Sequence, residues 1–321
     1  MVSVRTSLKR RGETIKDDLL EIVNQMYIDG MISDNRKHGL IVCVPKKLRP
    51  TRPEDFRHLT LLNADLKSMS RILANRTSLW LTSILHSSHH CRIYGHSIFE
   101  AIATVRETIA HTEYTRTSMC ILFIDFKKSF YNIAHDYLFK VLESYGFSKQ
   151  FQRCIRQMYG NATSSVYING YRTRKFPNNC SVRQGCPLSM QLFAICMDPL
   201  LCALESTLIG IRVGRNSHKS AVITYADDVT LLLTSPSEIP KLQTILDQYG
   251  KSCGAKINIH KLKAMAVRMW DTTGNIMEIP HYENMKILGI HFTSTTSQSA
   301  LKCWSVVTDG LRVQTREAYY R

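Results

Sequence analysis

Apolar residues recur along the chain at two spacings, which separate predicted helices from predicted strands. Residues 14–29 place Leu19, Ile22, Val23 and Met26 three or four positions apart, and this period predicts an amphipathic helix. The same spacing predicts further helices at 65–85, 96–114, 135–146, 148–160, 186–204 and 237–254. Short apolar or β-branched runs predict strands at 38–47, 120–125 and 286–292. The mixture favours an α+β fold in which helices pack on a sheet.

Two further segments have the pattern of β-hairpins. In one, the Asn169-Gly170 pair separates two alternating strands, which is a strong signal for a type I′ turn. In the other, residues 221–233 (AVITYADDVTLLL), Asp227 and Asp228 separate two apolar runs. Asp is common in turns because its side chain bonds nearby backbone groups, so a purely structural turn is one explanation of this pair.

A second apolar strand, CILFID, also ends in a carboxylate, at Asp125. If Asp125 and Asp227 end neighbouring strands of one sheet, three carboxylates converge there, the third being Asp228. Their mutual repulsion then raises a pKa unless a cation compensates. Mg²⁺ prefers oxygen ligands of this kind, and two ions about 4 Å apart can clamp an in-line phosphoryl transfer. The double Asp is therefore also a candidate metal site.

The charge balance of the chain indicates a class of partner. There are 42 Lys and Arg against 26 Asp and Glu, which gives a net charge of +16. Such an excess is typical of chains that bind a polyphosphate backbone, although a generally basic surface produces it too. Two stretches without acidic residues, 144–191 and 251–268, flank the double-Asp hairpin. They have the composition of a solvated basic face or of the walls of a nucleic-acid channel.

Residues within the first acid-free stretch supply candidates for that channel. Arg183 contributes to its positive charge. Its tyrosines are candidates for base stacking or for ordinary packing, namely Tyr159, Tyr167 and Tyr171.

The cysteines and apolar runs bear on the compartment. None of the ten cysteines forms a C-x-x-C pair, so reduced thiols in an intracellular protein are expected, in the nucleus or the cytoplasm. The segment SSHHCR at 87–92 resembles part of a metal site, but no second ligand cluster accompanies it, and we do not expect zinc there. No apolar run is long enough for a transmembrane helix, and the N-terminal residues lack the apolar core of a secretory signal.

Five segments resemble, in order, the sequence blocks of reverse transcriptases. ITYADDVTLLL resembles their Y-x-D-D hairpin, and FIDFKKSF resembles their first catalytic block. SVRQGCPLS at 181–189 resembles the R-Q-G-x-P-L-S block of non-LTR (LINE-type) retrotransposons and group II introns. VPKK with DFRHLTLLNADLKSMSRILANR (44–76) resembles the LINE-type finger region, and LGIHF (288–292) the primer-grip block. A Y-x-D-D match is weak alone, whereas five blocks in the family's order form a strong match.

The resemblance implies a right-hand polymerase fold of fingers and palm, in which helices back an antiparallel palm sheet and the thumb is missing or truncated. It implies a fingers region at 1–119, a palm at 120–292 with part of 135–190 returning to the fingers, and the start of a truncated thumb or connector at 293–321. The implied activity is that of an RNA-directed DNA polymerase. The implied partners are an RNA template, a DNA primer and dNTPs, without a membrane, and other domains of a longer polyprotein are expected to be missing.

The resemblance also implies a catalytic centre. The ligands of two Mg²⁺ ions, for which Mn²⁺ is an alternative, would be Asp125, Asp227, Asp228 and Phe126. Phe126 lies one residue past the first ligand, where the backbone would approach the triphosphate. Lys261, in NIHK, stands where the family places a lysine that protonates the leaving pyrophosphate.

Further residues are implied in substrate binding. The nucleotide-binding set would be Lys46, Arg57, Phe130, Gln184 and Gly185. Phe130 would be the steric gate whose ring occupies the space that a ribose 2′-hydroxyl needs. The primer grip would include Leu288 and Gly289. Plainer alternatives are a core position for Phe130, solvated charges for Lys46 and Lys261, and an ion pair with Glu54 or Asp55 for Arg57.

Three departures from the family pattern leave the activity of this copy open. Tyr131 follows the gate where Asp is usual, His58 stands where the finger loop has Pro, and Met190 and Gln191 stand where a Pro is usual. They favour a divergent or decaying copy, so the alternative function is a catalytically inactive, truncated nucleic-acid-binding remnant. RNA-dependent RNA polymerases also use a double-Asp hairpin, but Phe130 and the R-Q-G block argue against that class.

Overall fold

The computed structural model describes residues 12–91, 94–213, 219–270 and 279–306 of the chain. The chain divides into two compact units, each assembled from two separate stretches of sequence. The first unit comprises Met1–Trp80 and Phe130–Cys196, and the second comprises Leu81–Ser129 and Met197–Arg321. The assignment of segments to fingers, palm and thumb stays a prediction.

The helices of the described residues follow the apolar periodicity of the sequence. They are α1 (Gly12–Ile28), α2 (Asp34–Lys37), α3 (Ala64–Ile84), α4 (Ile98–Thr115), α5 (Ser129–Asn132), α6 (His135–Ser144), α7 (Lys149–Tyr159), α8 (Ser189–Thr207) and α9 (Ile239–Cys253). Short 3₁₀ turns occur at Pro53–Asp55, Pro236–Glu238 and Ile259–Lys261. Residues 296–306 are also helical. Among the described residues, no helix combines the length and the apolarity that crossing a bilayer requires.

The strands of the described residues are short. They are β1 (Gly39–Pro45), β2 (Phe56–Leu61), β3 (Met119–Asp125), β4 (Thr163–Ile168), β5 (Tyr171–Arg172), β6 (Phe176–Pro177), β7 (Ile211–Arg212), β8 (Lys219–Ser220), β9 (Val222–Tyr225), β10 (Asp228–Leu233), β11 (Lys263–Val267), β12 (Asn284–Ile287) and β13 (Ile290–Thr293). They form two larger sheets, one in each unit, and two separate two-stranded pairs, β7 with β8 and β12 with β13.

The sheet of the first unit has the strand order β2-β1-β4-β5, and β6 pairs with β4. β1 runs antiparallel to β2 and parallel to β4. The hairpin of β4 and β5 turns at Asn169 and Gly170, whose φ angles of 50° and 86° are positive, as a type I′ turn requires. The hairpin signal in the sequence is therefore confirmed.

The sheet of the second unit has the order β11-β3-β10-β9, and every neighbouring pair is antiparallel. The inner strand β3 is apolar from Met119 to Ile124, and residues 119–122 are fully buried. Helix α4 packs on this sheet through Ala101, Val105 and Ile109, which join one core cluster with residues of β3, β9, β10 and β11. This core holds the ends of β3, β9 and β10 in fixed positions.

Two predicted elements differ from the structure. The segment 286–292 was expected to be one strand, but it is the hairpin of β12 and β13. Leu288 and Gly289 form its turn, with φ angles of 49° and 88°. Leu is not a usual turn residue, so the apolar run conceals the reversal. The helix expected at 186–204 begins only at Ser189, after the proline, and continues to Thr207.

A close backbone approach in the first unit depends on Gly185. Its φ is +107°, and a Cβ placed on it would lie 2.6 Å from the carbonyl oxygen of Thr60 in β2. The neighbouring Gln184 carbonyl accepts a hydrogen bond of 2.6 Å from the Thr60 N–H. The R-Q-G segment is thereby fixed against β2, and only glycine fits at this position.

We expect Gly185→Ala to lower the free energy of unfolding by about 3–5 kcal/mol, because it adds both a steric clash and an unfavourable positive φ. Gly170→Ala is the matched control, since Gly170 also has a positive φ of 86° but no atom within 4 Å of an added Cβ. That control should cost only about 1–2 kcal/mol. Urea denaturation followed by circular dichroism compares them, and equal losses would contradict the tight packing at Thr60.

Candidate active site

The double Asp lies in a tight hairpin. Tyr225 of β9 faces Asp228 of β10, so Ala226 and Asp227 are the two central turn residues. Ala226 has a φ of 58°, and a positive φ at the first central residue is typical of the primed turns that match the twist of β-hairpins. The strands are anchored by buried apolar residues, including Val222 and residues 231–233. The turn is therefore presented by a rigid support.

Asp125 lies directly beside this hairpin. It is the last residue of β3, and the antiparallel register pairs it with Asp228 of β10. Because Asp227 precedes Asp228 at the turn, the three carboxylates belong to one end of a single strand pair. The condition stated from the sequence, that two Asp-bearing strands be neighbours, is met.

Residues 256–261 hold Asp125 from the other side. Asn258 donates from its Nδ2 to Asp125 Oδ2 over 3.0 Å, and its backbone N–H donates to the Asp125 carbonyl over 2.8 Å. The Lys261 ammonium lies 3.2 Å from Asp125 Oδ2 and 3.3 Å from Oδ1. The Lys261 side chain is 63% exposed, so this ion pair adds little stability. Its main effect is to orient the carboxylate.

Asp227 has its own hydrogen-bond donor. The hydroxyl of the buried Ser129 donates to Asp227 Oδ2 over 2.8 Å. Between Asp125 and Ser129 the chain stays against residues 256–257, because the Lys127 N–H donates to the Lys256 carbonyl and Phe126 pairs with Ile257. Phe126 as a whole is 5% exposed, and a metal contact of its backbone stays a prediction.

The carboxylates affect one another's protonation. Burial, followed by the negative charges of Asp227 and Asp125, raises the pKa of Asp228 from 3.8 to about 6, while the charge of Lys261 acts in the opposite direction. A raised pKa in a cluster of acids means that the charged form is poorly compensated by the protein itself. A bound cation would supply that compensation.

The first unit contains the predicted nucleotide-binding residues Gln184 and Gly185. The Tyr131 hydroxyl lies 2.7 Å from the His58 carbonyl oxygen and 3.1 Å from Gln184 Oε1, and it donates toward both. Burial raises the pKa of Tyr131 to about 12, so the hydroxyl remains a donor at neutral pH. Tyr131, one of the residues that depart from the family pattern, thus links the His58 backbone to the side chain of Gln184.

Phe130 is a buried residue of the same unit. It is 8% exposed, and its ring stacks on Phe193 with a centroid distance of 4.4 Å and an interplanar angle of 14°. Its carbonyl accepts a hydrogen bond of 2.8 Å from the Val182 N–H. These contacts are those of a core residue, and its role as a steric gate stays a prediction.

The two predicted phosphate-binding cations lie on β2 and at the end of β1. Lys46 donates from its Nζ to the Glu54 carbonyl over 2.8 Å, so it is not simply solvated. Asp55 forms an ion pair of 2.9 Å with Lys47. Within the described residues, no ion pair joins Arg57 to Glu54 or Asp55, and Arg57 is exposed. Arg57 is therefore accessible to a ligand.

The turn of the predicted primer grip is firmly anchored. Leu288 and Gly289 form the tip of the β12–β13 hairpin. Met285, Ile287 and Phe292 of that hairpin belong to the core cluster of the second unit. The exposed Gly289 therefore lies at the tip of a hairpin whose strands are packed into the core.

Two residues proposed for the nucleic-acid channel are buried instead. Tyr159 is 2% exposed, and Arg183 is 5% exposed and lies over the Tyr159 ring at 5.7 Å. Burial lowers the pKa of Arg183 and raises that of Tyr159. Neither faces solvent, because both lie within the packed core of the first unit. Tyr167 and Tyr171, which are 45% and 81% exposed, stay available for stacking.

Sequence reasoning missed three residues that position the site. Asn258 precedes the predicted Lys261 by three positions, and Ser129 precedes the predicted gate by one, so both lie inside segments already singled out. Tyr131 was noted only as a departure from the pattern. In each case the residue type allowed a hydrogen bond, but no local signal identified its partner.

Comparison with known proteins identifies the class. The family described as reverse transcriptase (RNA-dependent DNA polymerase) matches residues 44–292. The match covers most of the chain, and the chain belongs to this family. Reverse transcriptases generally use divalent metal ions.

Relatives come from transposable elements. The chain is 27% identical over 249 residues to the uncharacterized 149 kDa protein of transposon TX1 from Xenopus laevis, which covers 78% of the chain and 19% of that protein. It is 25% identical over 295 residues to the Pol polyprotein of the type-2 retrotransposable element R2DM from Drosophila melanogaster, covering 86% and 27%. The chain thus spans between about a fifth and about a quarter of the length of these curated relatives. The prediction of a non-LTR, LINE-type reverse transcriptase domain is confirmed.

Solved structures support the fold. Telomerase from Candida tropicalis in complex with a fragment of telomeric RNA has a TM-score of 0.57 at 14% identity, over 88% of this chain and 48% of that one. Apo telomerase from the same organism, truncated from the C-terminal domain, has a TM-score of 0.55 at 14% identity, over 88% and 59%. At this identity the likeness concerns the fold alone, and it confirms the predicted α+β right-hand polymerase fold with an antiparallel sheet.

Without divalent ions, we expect Asp228 to titrate near pH 6. Asp227→Asn removes a neighbouring charge and should lower this pKa, which a carbon-13 NMR titration of the carboxyl groups measures. Asp247→Asn is the control, because it makes the same charge change at an exposed position of α9. A pKa that shifts equally in both variants, or in neither, would contradict the close approach of the two acids.

The same pKa sets a pH dependence of stability. The folded pKa of about 6 lies above the ordinary value of 3.8. The stability contributed by protonated Asp228 is therefore present below about pH 4 and is lost as pH rises through about 6. Divalent cations should oppose this loss.

Proposed function

We propose that the chain is an RNA-directed DNA polymerase, a nucleotidyltransferase that adds dNTPs to a primer 3′-hydroxyl on an RNA template. The convergence of Asp125, Asp227 and Asp228 at one end of the β3–β10 pair carries this proposal. Membership in the reverse transcriptase family supports the same reaction. The RNA template, the DNA primer and dNTPs are the proposed partners, and the length of the relatives supports a place within a longer polyprotein.

The donor set of the site fits hard divalent cations. It offers oxygen ligands only, and the crowding of its three carboxylates leaves negative charge that the protein compensates poorly. We assign two Mg²⁺ ions, with Mn²⁺ as an alternative, to Asp125, Asp227, Asp228 and the backbone carbonyl of Phe126. Such ions, when bound, activate the primer hydroxyl and stabilise the leaving pyrophosphate.

The chain's own residues prepare this site before any substrate binds. Ser129 and Asn258 donate to Asp227 and Asp125 over 2.8 and 3.0 Å, and so restrict the rotation of both carboxylates. Lys261 is the proposed proton donor to the pyrophosphate. Its ammonium already lies at the carboxylate cluster, and its exposed side chain is free to turn from Asp125 toward a leaving group.

Substrate contacts are assigned to three groups of residues. Arg57 and Lys46 are proposed to bind the triphosphate, because the planar guanidinium of Arg57 is exposed and suits phosphate oxygens. Gln184, oriented by Tyr131, is proposed to contact the nucleotide, with the backbone at Gly185 beside it. Leu288 and Gly289 are proposed to contact the primer strand.

We expect Asp227→Ala to reduce primer extension on an RNA template with Mg²⁺ by about 10³-fold or more, because it removes a metal ligand. Asp247→Ala, at an exposed position of α9, is the matched control and should retain full activity. Extension assays with labelled primer and dNTPs measure both variants beside the wild type. Equal extension by the wild type and Asp227→Ala would exclude the metal assignment.

The same assay distinguishes an active polymerase from the second candidate, an inactive remnant. A wild-type chain that binds RNA with strong salt dependence but extends no primer would favour the inactive nucleic-acid-binding remnant. The net charge of +16 is compatible with an inactive nucleic-acid-binding protein. Repeated primer extension would exclude that alternative.

We expect Phe130→Ala to raise ribonucleotide incorporation relative to dNTP incorporation, because a smaller side chain leaves room for a 2′-hydroxyl. Phe193→Ala is the control, since it removes the other half of the same ring stack. Both variants should lose packing stability of about 3–5 kcal/mol, but only the first should change selectivity. Single-nucleotide insertion with each nucleotide type measures the ratio, and an equal change in both variants would reduce Phe130 to a core residue.

A further inference from the structure

A second group of metal-ligating side chains lies in the second unit, apart from the carboxylates of the active site. His90, His96 and Glu100 each offer one ligand atom, and these atoms lie within 4.8 Å of one another. The Nδ1 atoms of His90 and His96 lie 3.5 and 3.9 Å from the same atom, Glu100 Oε2. The centroids of the two imidazole rings are 5.6 Å apart.

Backbone structure fixes His90 and Glu100. The His90 N–H donates to the Thr224 carbonyl over 3.1 Å, and the Thr224 N–H donates to the Ser88 carbonyl over 3.0 Å, so this segment pairs with strand β9. Glu100 lies in the first turn of α4, where the N-cap Ser97 and Glu100 exchange hydrogen bonds. His96 directly precedes that cap. The cluster therefore joins the edge of the second sheet to the start of a helix.

The contacts within the cluster are too long for hydrogen bonds. N–H···O bonds in proteins are usually about 2.7–3.2 Å long, and even the long capping bonds between Ser97 and Glu100, at 3.3 and 3.4 Å, are shorter than the contacts of the two histidines. Both Nδ1 atoms are inaccessible to solvent and have no hydrogen-bond partner in the described part of the chain. Leaving two buried imidazole nitrogens unpaired is costly. An ion shared by the two nitrogens and the carboxylate would satisfy all three groups.

The two nitrogen–oxygen separations are close to those around a tetrahedral ion. With bonds of about 2.0–2.1 Å to nitrogen and oxygen, the ligands of zinc lie about 3.3 Å apart. Small side-chain rotations from 3.5 and 3.9 Å reach that distance. Two imidazoles and one carboxylate suit zinc and related transition metals, and not Mg²⁺, which prefers oxygen ligands only.

We propose that His90, His96 and Glu100 bind a zinc-class divalent cation, whose fourth position is taken by solvent beside the half-exposed Glu100 side chain. The site has a structural role. It links the segment that pairs with Thr224 to the N-terminus of α4, and Thr224 lies next to the strand end that carries the active-site hairpin.

Helix capping alone does not account for this arrangement. A capping box explains why Glu100 accepts a hydrogen bond from the Ser97 N–H over 3.3 Å, but it does not explain two partly buried histidines whose inaccessible Nδ1 atoms are directed at the same oxygen. A backbone donor to a ligating carboxylate is also a usual orienting contact in metal sites. The negative charge of Glu100 offsets the unfavourable effect of a helix N-terminus on a cation.

The sequence concealed the site. SSHHCR contains His90, but no second Cys or His motif accompanies it. The missing ligands follow only six and ten residues after His90, at His96 and Glu100, and the second of these also forms a helix cap. A residue that serves both purposes gives no distinct metal signal.

Zinc binding by the untagged chain tests the proposal. Zn²⁺ is titrated against a chromophoric chelator with Mg²⁺ present in excess, so that the active-site carboxylates do not compete. His96→Ala removes a ligand, whereas Glu100→Gln removes the charge but keeps an acceptor for the helix cap. His111→Ala is the matched control, because it removes a histidine of the same helix outside the cluster.

We expect the wild type and His111→Ala to bind one more Zn²⁺ than His96→Ala and Glu100→Gln, or to bind it at least about 100-fold more tightly. Zinc held by the cysteines is common to all four proteins and cancels in the comparison. At free Zn²⁺ about 100-fold above the Kd, the Tm of the wild type should rise by roughly 5 °C, and that of the two ligand variants should not. Co²⁺ should give a four-coordinate visible spectrum only in the wild type and the control.

Equal zinc stoichiometry, affinity and Tm shift in the wild type and both ligand variants would overturn the proposal. If His96→Ala fails to fold, Glu100→Gln decides the question by the same measurements. None of these readouts depends on polymerase activity, so the result is independent of the proposed function.

Discussion

Repulsion between three carboxylates is the constraint on which the second unit depends. The antiparallel register of β3 and β10 brings Asp125 opposite Asp228, with Asp227 at the adjoining turn. Apolar burial along both strands stabilises an arrangement that the charges oppose. The donors from Ser129, Asn258 and Lys261 satisfy part of the negative charge but not all of it. The apolar strands and the flanking hydrogen-bond donors therefore both act against the same electrostatic repulsion, and bound cations would complete the compensation.

The first unit is organised around close packing. The Thr60 N–H of β2 donates a hydrogen bond to the Gln184 carbonyl. A Cβ on Gly185 would lie 2.6 Å from the Thr60 carbonyl oxygen, and a Cβ on Gly39 would lie 2.5 Å from the Thr60 side chain. These approaches hold the R-Q-G segment rigidly against the sheet. Tyr131 then fixes the Gln184 side chain through its hydroxyl. The proposed nucleotide-binding residues are therefore held on backbone that has no room to shift.

Local patterns explain what the sequence predicted. The Asn169-Gly170 hairpin, the helical periods and the strand ending at Asp125 each depend on a few consecutive residues, and each was found. Contacts between distant residues were not: Asn258 meets Asp125 across 133 positions, and nothing near Asn258 indicates its partner. The β12–β13 hairpin was missed because Leu288 adopts a positive φ, although leucine is not a usual turn residue. Arg183 was misplaced because a charge in the sequence says nothing about burial.

The interleaving of the two units has a consequence for how the chain is made and cut. The first sheet pairs β1 with β4, so Gly39 meets Ser164 only after the whole segment 81–129 of the other unit has been synthesised. Until then one edge of β1 has no partner, and an unpaired strand edge invites association between nascent chains. A single proteolytic or genetic cut likewise cannot separate the units, since each is built from two stretches. Fragments of this domain should therefore be designed as permuted or loop-replaced chains.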